Sequence, residues 1–301
     1  MGKQTLETGM EHWILANKTN TVKPSSLERL KVSFKQLKQY PIAHEPLSAL
    51  TTDDIQEYLG QLLDHGYALT TIRKQHALLT EYLKYAHGRG DILLPIYLNV
   101  KLPRESSCQK HRKQVEAYSD AEQRALRRVF KTLSHPLYAA AMLMLEEGLR
   151  IGEVLALTWD DILWQRKALR VNKTIIRLTT QHNMTYVQDG AKSQTSNRII
   201  PLTDESIEIL NRLEQNGTDY IFGGYTYEAV RYHLSQACQK AGVPYKGTHI
   251  FRHTFATNCY NRGCDVKILS KLLGHSEVSI TYDIYIHLYG DALDEMRQVM
   301  G

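Results

Sequence analysis

The sequence is poor in everything that marks a secreted, disulfide-stapled or membrane-spanning chain. Its 301 residues hold four cysteines, Cys108, Cys238, Cys259 and Cys264. They form no CxxC pair and no regular framework, which points to a reducing cytoplasm. No apolar run approaches the ~20 residues of a membrane helix, and the opening "MGKQTLETGMEHW" lacks the apolar core of a signal peptide. The chain begins Met-Gly, but Leu6 stands where a myristoylation signal needs a small hydroxyl residue. There is no internal repeat, no low-complexity segment, no Walker loop for nucleotide phosphates and no carboxylate cluster such as a metal-dependent nuclease uses.

What is present is ordinary in bulk. Hydrophobic content of 43% and charged content of 23% suit a soluble globular protein, and the length suits two domains better than one. The formal charge of +5 is unevenly placed. Residues 1–115 carry 16 Lys/Arg against 11 Asp/Glu, leaving 21 of each sign for the remainder. All of the excess therefore lies in the first part, a weak pointer to nucleic acid, since many solvated surfaces carry as much.

Residues 25–40 repeat apolar side chains at helical spacing, through Leu27, Leu30, Val32, Phe34 and Leu37, until Pro41 ends the run. A second helix is expected in "TTDDIQEYLGQLLDHG", capped by Thr51 or Thr52 and stopped at Gly66, and a third in "LTTIRKQHALLTEYLKYAHGRG". Residues 23–98 thus read as a small helical bundle, preceded by a flexible tail over 1–22. Its exposed faces are basic through Lys31, Lys35, Lys38, Arg73, Lys74 and Lys84. Residues 99–116 read as a polar linker with Lys110, His111, Arg112 and Lys113. The second domain, 117–301, opens on a Ser119–Glu122 capping box. It continues through helices in "LYAAAMLMLEEGL" and "RIGEVLALTW", strands in "ALRVNKTIIRL", "MTYVQ" and "NRIIPL", and helices near 204–215, 226–241, 249–262 and 266–273. The fold class is therefore mainly α, with a small antiparallel sheet in the second domain.

Several residues could do chemistry, and each has an everyday alternative. Arg150 stands between Gly148 and Gly152 with Glu153 three residues on, either a guanidinium aimed at an anion or a surface ion pair. His249 and Arg252 share a helical face, which suits a phosphate; His253 gives HxxxH spacing with His249, which would suit a metal. Against the metal, no acidic residue lies between the two histidines, no third ligand declares itself, and Arg252 would be a cation in the shell. His275 follows a glycine where a helix should stop, and Lys192 lies in a turn between strands. Tyr282, Tyr285 and Tyr289 share one helical face, the usual look of a packing stripe.

In combination and order, "GLRIGEVLAL", "AKSQTSNRIIPL", "HIFRHTFATN" and "LLGHSEVSITYDIYIH" resemble the tyrosine recombinase (phage integrase) family across residues 148–287. The resemblance implies a SAM-like core-binding bundle followed by an α+β catalytic domain, the two closing as a clamp around duplex DNA. It assigns Arg150 and Arg252 to the non-bridging phosphate oxygens, Lys192 to the departing 5′-oxygen, His249 to assistance near the nucleophile, and His275 to the phosphate. Glu153 and His253 support them. The nucleophile follows the "LGH" histidine by nine or ten residues and sits in YxH. Tyr285 fits, ten residues after His275 with His287 two places on. The product would be a 3′-phosphotyrosyl linkage and a free 5′-hydroxyl, made with no cofactor, no metal and no ATP.

The resemblance also implies double-stranded DNA recombination sites as partners, a homo-tetramer on two duplexes, accessory DNA-bending or directionality proteins, and no membrane. Backbone contacts are expected from Lys31, Lys35, Arg73, Lys74, Lys110, Arg112 and Lys113. The tail "GDALDEMRQVMG" can dock on its own domain or on a neighbour. Little more than twenty residues precede the bundle, so either the protein is of the simple two-domain kind or an arm-binding domain has been lost. Two readings of the same fold stay open at this point: a DNA-binding protein that no longer cuts, and a type IB topoisomerase.

Overall fold

Thr5 opens the first helix: its hydroxyl accepts from the Thr8 amide, and the Thr8 hydroxyl accepts from the Thr5 amide. Helix α1 (Leu6–Trp13) then places Leu6, Met10, Trp13 and Ile14 along one stripe, all of them buried. The computed structural model describes residues 4–104, 117–132, 135–178, 184–189, 197–213, 218–275, 277–279 and 281. Residues 4–22 within it are not the flexible tail expected from the sequence. The spacing of the four apolar residues is a helix's own, and the stripe is buried because Trp13 packs on Tyr82, with ring centroids 5.6 Å apart.

Three longer helices complete this first unit: α2 (Pro24–Leu37), α3 (Thr52–Asp64) and α4 (Leu69–Arg89). Thr51, not Thr52, caps α3, its hydroxyl accepting from the Asp54 amide at 3.3 Å. Gly90, in the left-handed region at φ 81°, ends α4. The unit runs past the expected start of the linker at 99, because Gln56 holds Lys101 from both sides, accepting from its amide at 2.8 Å and donating to its carbonyl at 2.9 Å. The main chain divides into its two compact units at Arg112 and Lys113.

The second unit is built around α6 (Pro136–Glu146), in which Leu137 through Leu145 are all buried. A helix that is apolar all round must be covered all round. Its neighbours do so: α5 (Asp120–Thr132), α7 (Ile151–Leu155), α8 (Asp204–Asn211), α9 (Tyr227–Ala241) and α10 (Thr248–Asn261). The capping box of α5 forms as expected, Glu122 accepting from the Ser119 amide at 2.7 Å. The last described helix, α11 (Val266–Leu273), packs on α10 and on the sheet.

The sheet is antiparallel in the order β1 (Ile162–Leu163), β2 (Ala168–Val171), β5 (Arg198–Pro201), with Leu169 opposite Ile200 and Val171 opposite Arg198. Strands β3 (Lys173–Leu178) and β4 (Met184–Asp189) form a separate pair. The stretch "ALRVNKTIIRL" is therefore two strands in two sheets, broken at Asn172. Lys173, at the start of β3, is ion-paired to Asp161, which also accepts from the Thr158 hydroxyl at 2.7 Å.

Gly152 is where β3 meets α7. A Cβ there would lie 2.5 Å from the Ile175 carbonyl oxygen and closer still to the Tyr227 hydroxyl. Backbone cannot step aside as a side-chain tip can, so Gly152→Ala is expected to cost about 1–3 kcal/mol. The check is urea unfolding of the variant against the parent; an unchanged midpoint would mean that β3 is free to move away.

Candidate active site

Arg150 is the residue just before α7. Its amide donates to Glu153 Oε2 at 2.8 Å and its Nη1 to Oε1 at 2.8 Å. A carboxylate at the third position of a helix folds back over the residue before it, and this reach is what the spacing supplies. Glu153 itself is buried. Arg198, at the start of β5, grips the same carboxylate with a two-pronged fork, Nη1 to Oε1 at 3.0 Å and Nη2 to Oε2 at 2.9 Å. Arg252 of α10 brings a third guanidinium to 3.9 Å from Oε2. Burial alone would raise the carboxyl's pKa, but Arg198, Arg150 and Arg252 together hold it down at about 2. Three guanidiniums and one carboxylate leave two positive charges in excess.

The arginines also converge on the end of α11. The Leu272 carbonyl accepts from Arg198 Nε at 2.7 Å. The Leu273 carbonyl accepts from Arg252 Nη2 and, at 3.2 Å, from Arg150 Nη1; Gly274 accepts from Arg150 Nη2 at 3.4 Å. The last carbonyls of a helix have no partner within it and carry its negative dipole end, so they suit cations. Arg252 is fixed further by the Gly148 carbonyl, at 2.8 Å from Nη1, which the left-handed φ of 68° at Gly148 accompanies. The three are unequal in access: the Arg150 side chain is 36% exposed, those of Arg252 and Arg198 only 8% and 6%. Arg150 is thus the guanidinium most open to an incoming anion.

Three imidazoles lie in the same positive field. His249 keeps an exposed edge, yet desolvation by its neighbours, then Arg252 and Arg150, hold it below the usual histidine range. Burial, then His249 and Arg252, do the same to His253. His275 is pushed down to about 4, by burial first and then by Arg252, Arg150, Arg198 and His253. All three favour the neutral form, which can accept a proton at one ring nitrogen and donate a hydrogen bond from the other. Glu147, beside Gly148, is pushed up to about 8 by burial while accepting from Thr203 and Ser206.

The structure therefore brings Arg150, Glu153, His249, Arg252, His253 and His275 together. Lys192 and Tyr285 lie outside the described residues, as do Lys110, Arg112 and Lys113. On the first unit, Lys35, Arg73 and Lys74 are exposed and Lys31 is half-exposed. Lys38 differs, because its charge is taken by Glu7 of α1 at 2.8 Å. Two polar groups of the site went unassigned in the sequence. Arg198 lies two residues from inward-facing Ile200 on β5, so strand alternation points it inward, but Ile199 made the opposite phase look equally good. Thr281, buried, hydrogen-bonds His275 Nδ1 at 2.8 Å.

Comparison with known proteins agrees with this geometry. The Phage integrase family matches residues 111–291, more than half of the chain. A tyrosine recombinase XerC-like protein of Caldanaerobacter subterraneus subsp. tengcongensis is 28% identical, over 94% of this chain and 79% of its own. The Tn1549 transposon integrase, solved with a circular-intermediate DNA, shares the fold with a TM-score of 0.79 at 19% identity, over 98% of each chain. A lambda integrase tetramer bound to a Holliday junction shares it with a TM-score of 0.64 at 18% identity, over 91% of this chain and 78% of that one. With the family matched across the arginine–histidine cluster and the same fold found around it, the chain belongs to the phage integrase family, the tyrosine recombinases.

Proposed function

We propose that this protein cleaves and rejoins duplex DNA at specific sites, with Tyr285 as nucleophile, and so carries out integration, excision or resolution of a DNA element. The observation that carries the reading is the convergence of Arg150, Arg198 and Arg252 on the Glu153 carboxylate, an excess of positive charge in whose field the imidazoles of His249, His253 and His275 lie. A phosphodiester entering it gains fixed donors where charge grows in the pentavalent transition state. Loss of one such donor typically costs ~3–4 kcal/mol.

The phenol of Tyr285, with a pKa of ~10, is a poor nucleophile alone and needs a base. Its oxygen forms the bond to phosphorus as the bond from phosphorus to the 5′-oxygen breaks. His249, held neutral, takes the phenolic proton, and Lys192 gives one to the leaving 5′-oxygen. The 3′-phosphotyrosyl ester keeps the energy of the phosphodiester, so the 5′-hydroxyl of a second strand reverses the step without ATP. Arg150 and Arg252 hold the non-bridging oxygens, and Glu153 keeps both guanidiniums in place. Lys31, Lys35, Arg73 and Lys74 supply backbone contacts from the first unit, joined by Lys110, Arg112 and Lys113.

The working assembly in this reading is a tetramer on two duplexes in the cytoplasm, with accessory DNA-bending proteins as further partners. The lambda integrase tetramer on a Holliday junction supports the first part, and among the described residues no helix is long and apolar enough to cross a membrane. The test is a nicked suicide substrate bearing candidate sites, incubated with the full chain in EDTA. A protease-sensitive covalent adduct with joining of a second strand is the expected result. Relaxation of supercoils by a monomer without strand exchange would identify a topoisomerase, and binding without an adduct a protein that no longer cuts.

A further inference from the structure

The hydrogen bond between His275 and Thr281 decides which nitrogen of the imidazole faces outward, and with which chemistry. His275 follows Gly274, whose left-handed backbone at φ 63° ends α11, and its amide donates to the Ser270 carbonyl at 3.1 Å. The backbone under the ring is therefore fixed. Nδ1 lies 2.8 Å from Thr281 Oγ1, and Thr281 has no exposed surface. With Nδ1 occupied inside the protein, Nε2 is the nitrogen left to meet a ligand.

A neutral imidazole carries one N–H, and a hydroxyl can either donate or accept, so the bond can run two ways. If Nδ1 carries the proton and donates to Thr281, Nε2 offers a lone pair, which a phosphate oxygen repels. If Thr281 donates to Nδ1, the ring proton sits on Nε2 and can be given as a hydrogen bond to that oxygen. A group held neutral can serve an anionic ligand only in the second arrangement.

We infer that Thr281 is a positioning residue: its hydroxyl donates to Nδ1 and fixes His275 as the Nε2–H tautomer that donates to a non-bridging oxygen of the scissile phosphate. The inference rests on the recombinase reading of the site for its ligand, and the tautomer follows from that ligand's negative charge. Thr281 also stands four residues before Tyr285 in the sequence. One bond thus joins the end of α11 to the segment that leads into the nucleophile.

The test uses the full chain, labelled with ¹⁵N-histidine, in three forms: parent, Thr281→Val and Thr281→Ser. Valine keeps the shape and removes the hydroxyl; serine keeps the hydroxyl. The ring nitrogens of His275, identified by their loss in His275→Gln, report the tautomer directly. Parent and Thr281→Ser are expected to show Nε2–H with an unprotonated Nδ1, and Thr281→Val a mixture. Single-turnover cleavage of the suicide substrate should fall by about 10- to 100-fold in Thr281→Val, the range typical when a histidine loses its orienting partner. Thr281→Ser should return to within about 3-fold of the parent, and DNA affinity and melting temperature should not move enough to explain the loss.

An Nδ1–H tautomer in the parent overturns the inference, as does a Thr281→Val protein with unchanged tautomer and rate. So does a Thr281→Ser protein as slow as Thr281→Val. Should the parent form no adduct on any DNA while its ring shows Nε2–H, the recombinase reading fails and takes the phosphate contact with it; the Thr281 hydrogen bond then stands by itself.

Discussion

Tyr285→Phe is expected to bind its DNA as tightly as the parent and to form no covalent adduct, while Tyr282→Phe and Tyr289→Phe keep forming it. Removing the nucleophile of a covalent enzyme can cost about 10⁶-fold in the chemical step, leaving only what binding and electrostatics supply. The choice among the three tyrosines rests on sequence: they stand seven, ten and fourteen residues after His275, and only Tyr285 has a histidine two places on. Among the described residues, the structure argues against two other nucleophiles. Tyr227 lies close enough to Glu153 to feel its charge, but its hydroxyl donates to the Ile175 carbonyl at 2.6 Å, and burial pushes it up to about 12. Cys259 is pushed up to about 11 by burial, so little thiolate forms. Tyr227→Phe therefore serves as a control that keeps its adduct. Peptide mapping of the adduct after nuclease digestion would read the modified residue directly, and a phosphotyrosine at 282 or 289 would overturn the assignment.

The parts of the site legible in the sequence are those whose chemistry sits beside a local signal. Arg150 stands at a helix start between glycines, His275 follows the glycine that ends α11, and His249 and Arg252 share a face of α10. Arg198 and Thr281 have no such marker. An arginine opening a strand is usually solvated, and nothing near Arg198 in the chain names Glu153, 45 residues away, as its partner. The fold divides in the same way. Helix α11 appears at its expected bounds, and α4 ends at the glycines that announced it. Helix α7 stops at Leu155, before the "ALTW" that was expected to continue it, because Thr158 and Asp161 bond each other and turn the chain into β1. The helix at α1 was legible too, in Thr5 and the spacing of Leu6, Met10 and Trp13, but proximity to a terminus is a poor guide to order when the apolar stripe has a core to join.

Glu153→Ala is expected to damage stability and catalysis together, and to change how the protein meets acid. The carboxylate is the common partner of Arg150, Arg198 and Arg252, and it is buried. Removing one partner of such a cluster leaves uncompensated buried charge, which typically costs about 3–5 kcal/mol. Glu153→Gln keeps the volume and one acceptor oxygen, so its loss should be smaller, but its amide group faces guanidinium donors and cannot replace the second oxygen. The pH dependence separates charge from shape. The carboxyl's pKa is about 2 in the folded protein against an ordinary 4.5. Its contribution is therefore complete above pH 4.5 and disappears as pH falls toward 2. A displacement of that size corresponds to about 3 kcal/mol. Urea unfolding at pH 7, 5, 4 and 3 should show a wide gap between parent and Glu153→Gln that closes only below about pH 4.5. A gap that stays constant to pH 3 would mean that the variant fails through packing and that the charge matters little. Catalysis should follow the guanidiniums: with Arg150 no longer held at its carboxylate, single-turnover cleavage should drop by about 10²–10³, as for a lost transition-state donor. Arg198→Lys tests the same cluster from its buried side, since a lysine cannot span both oxygens, and it should lower cleavage without touching DNA itself.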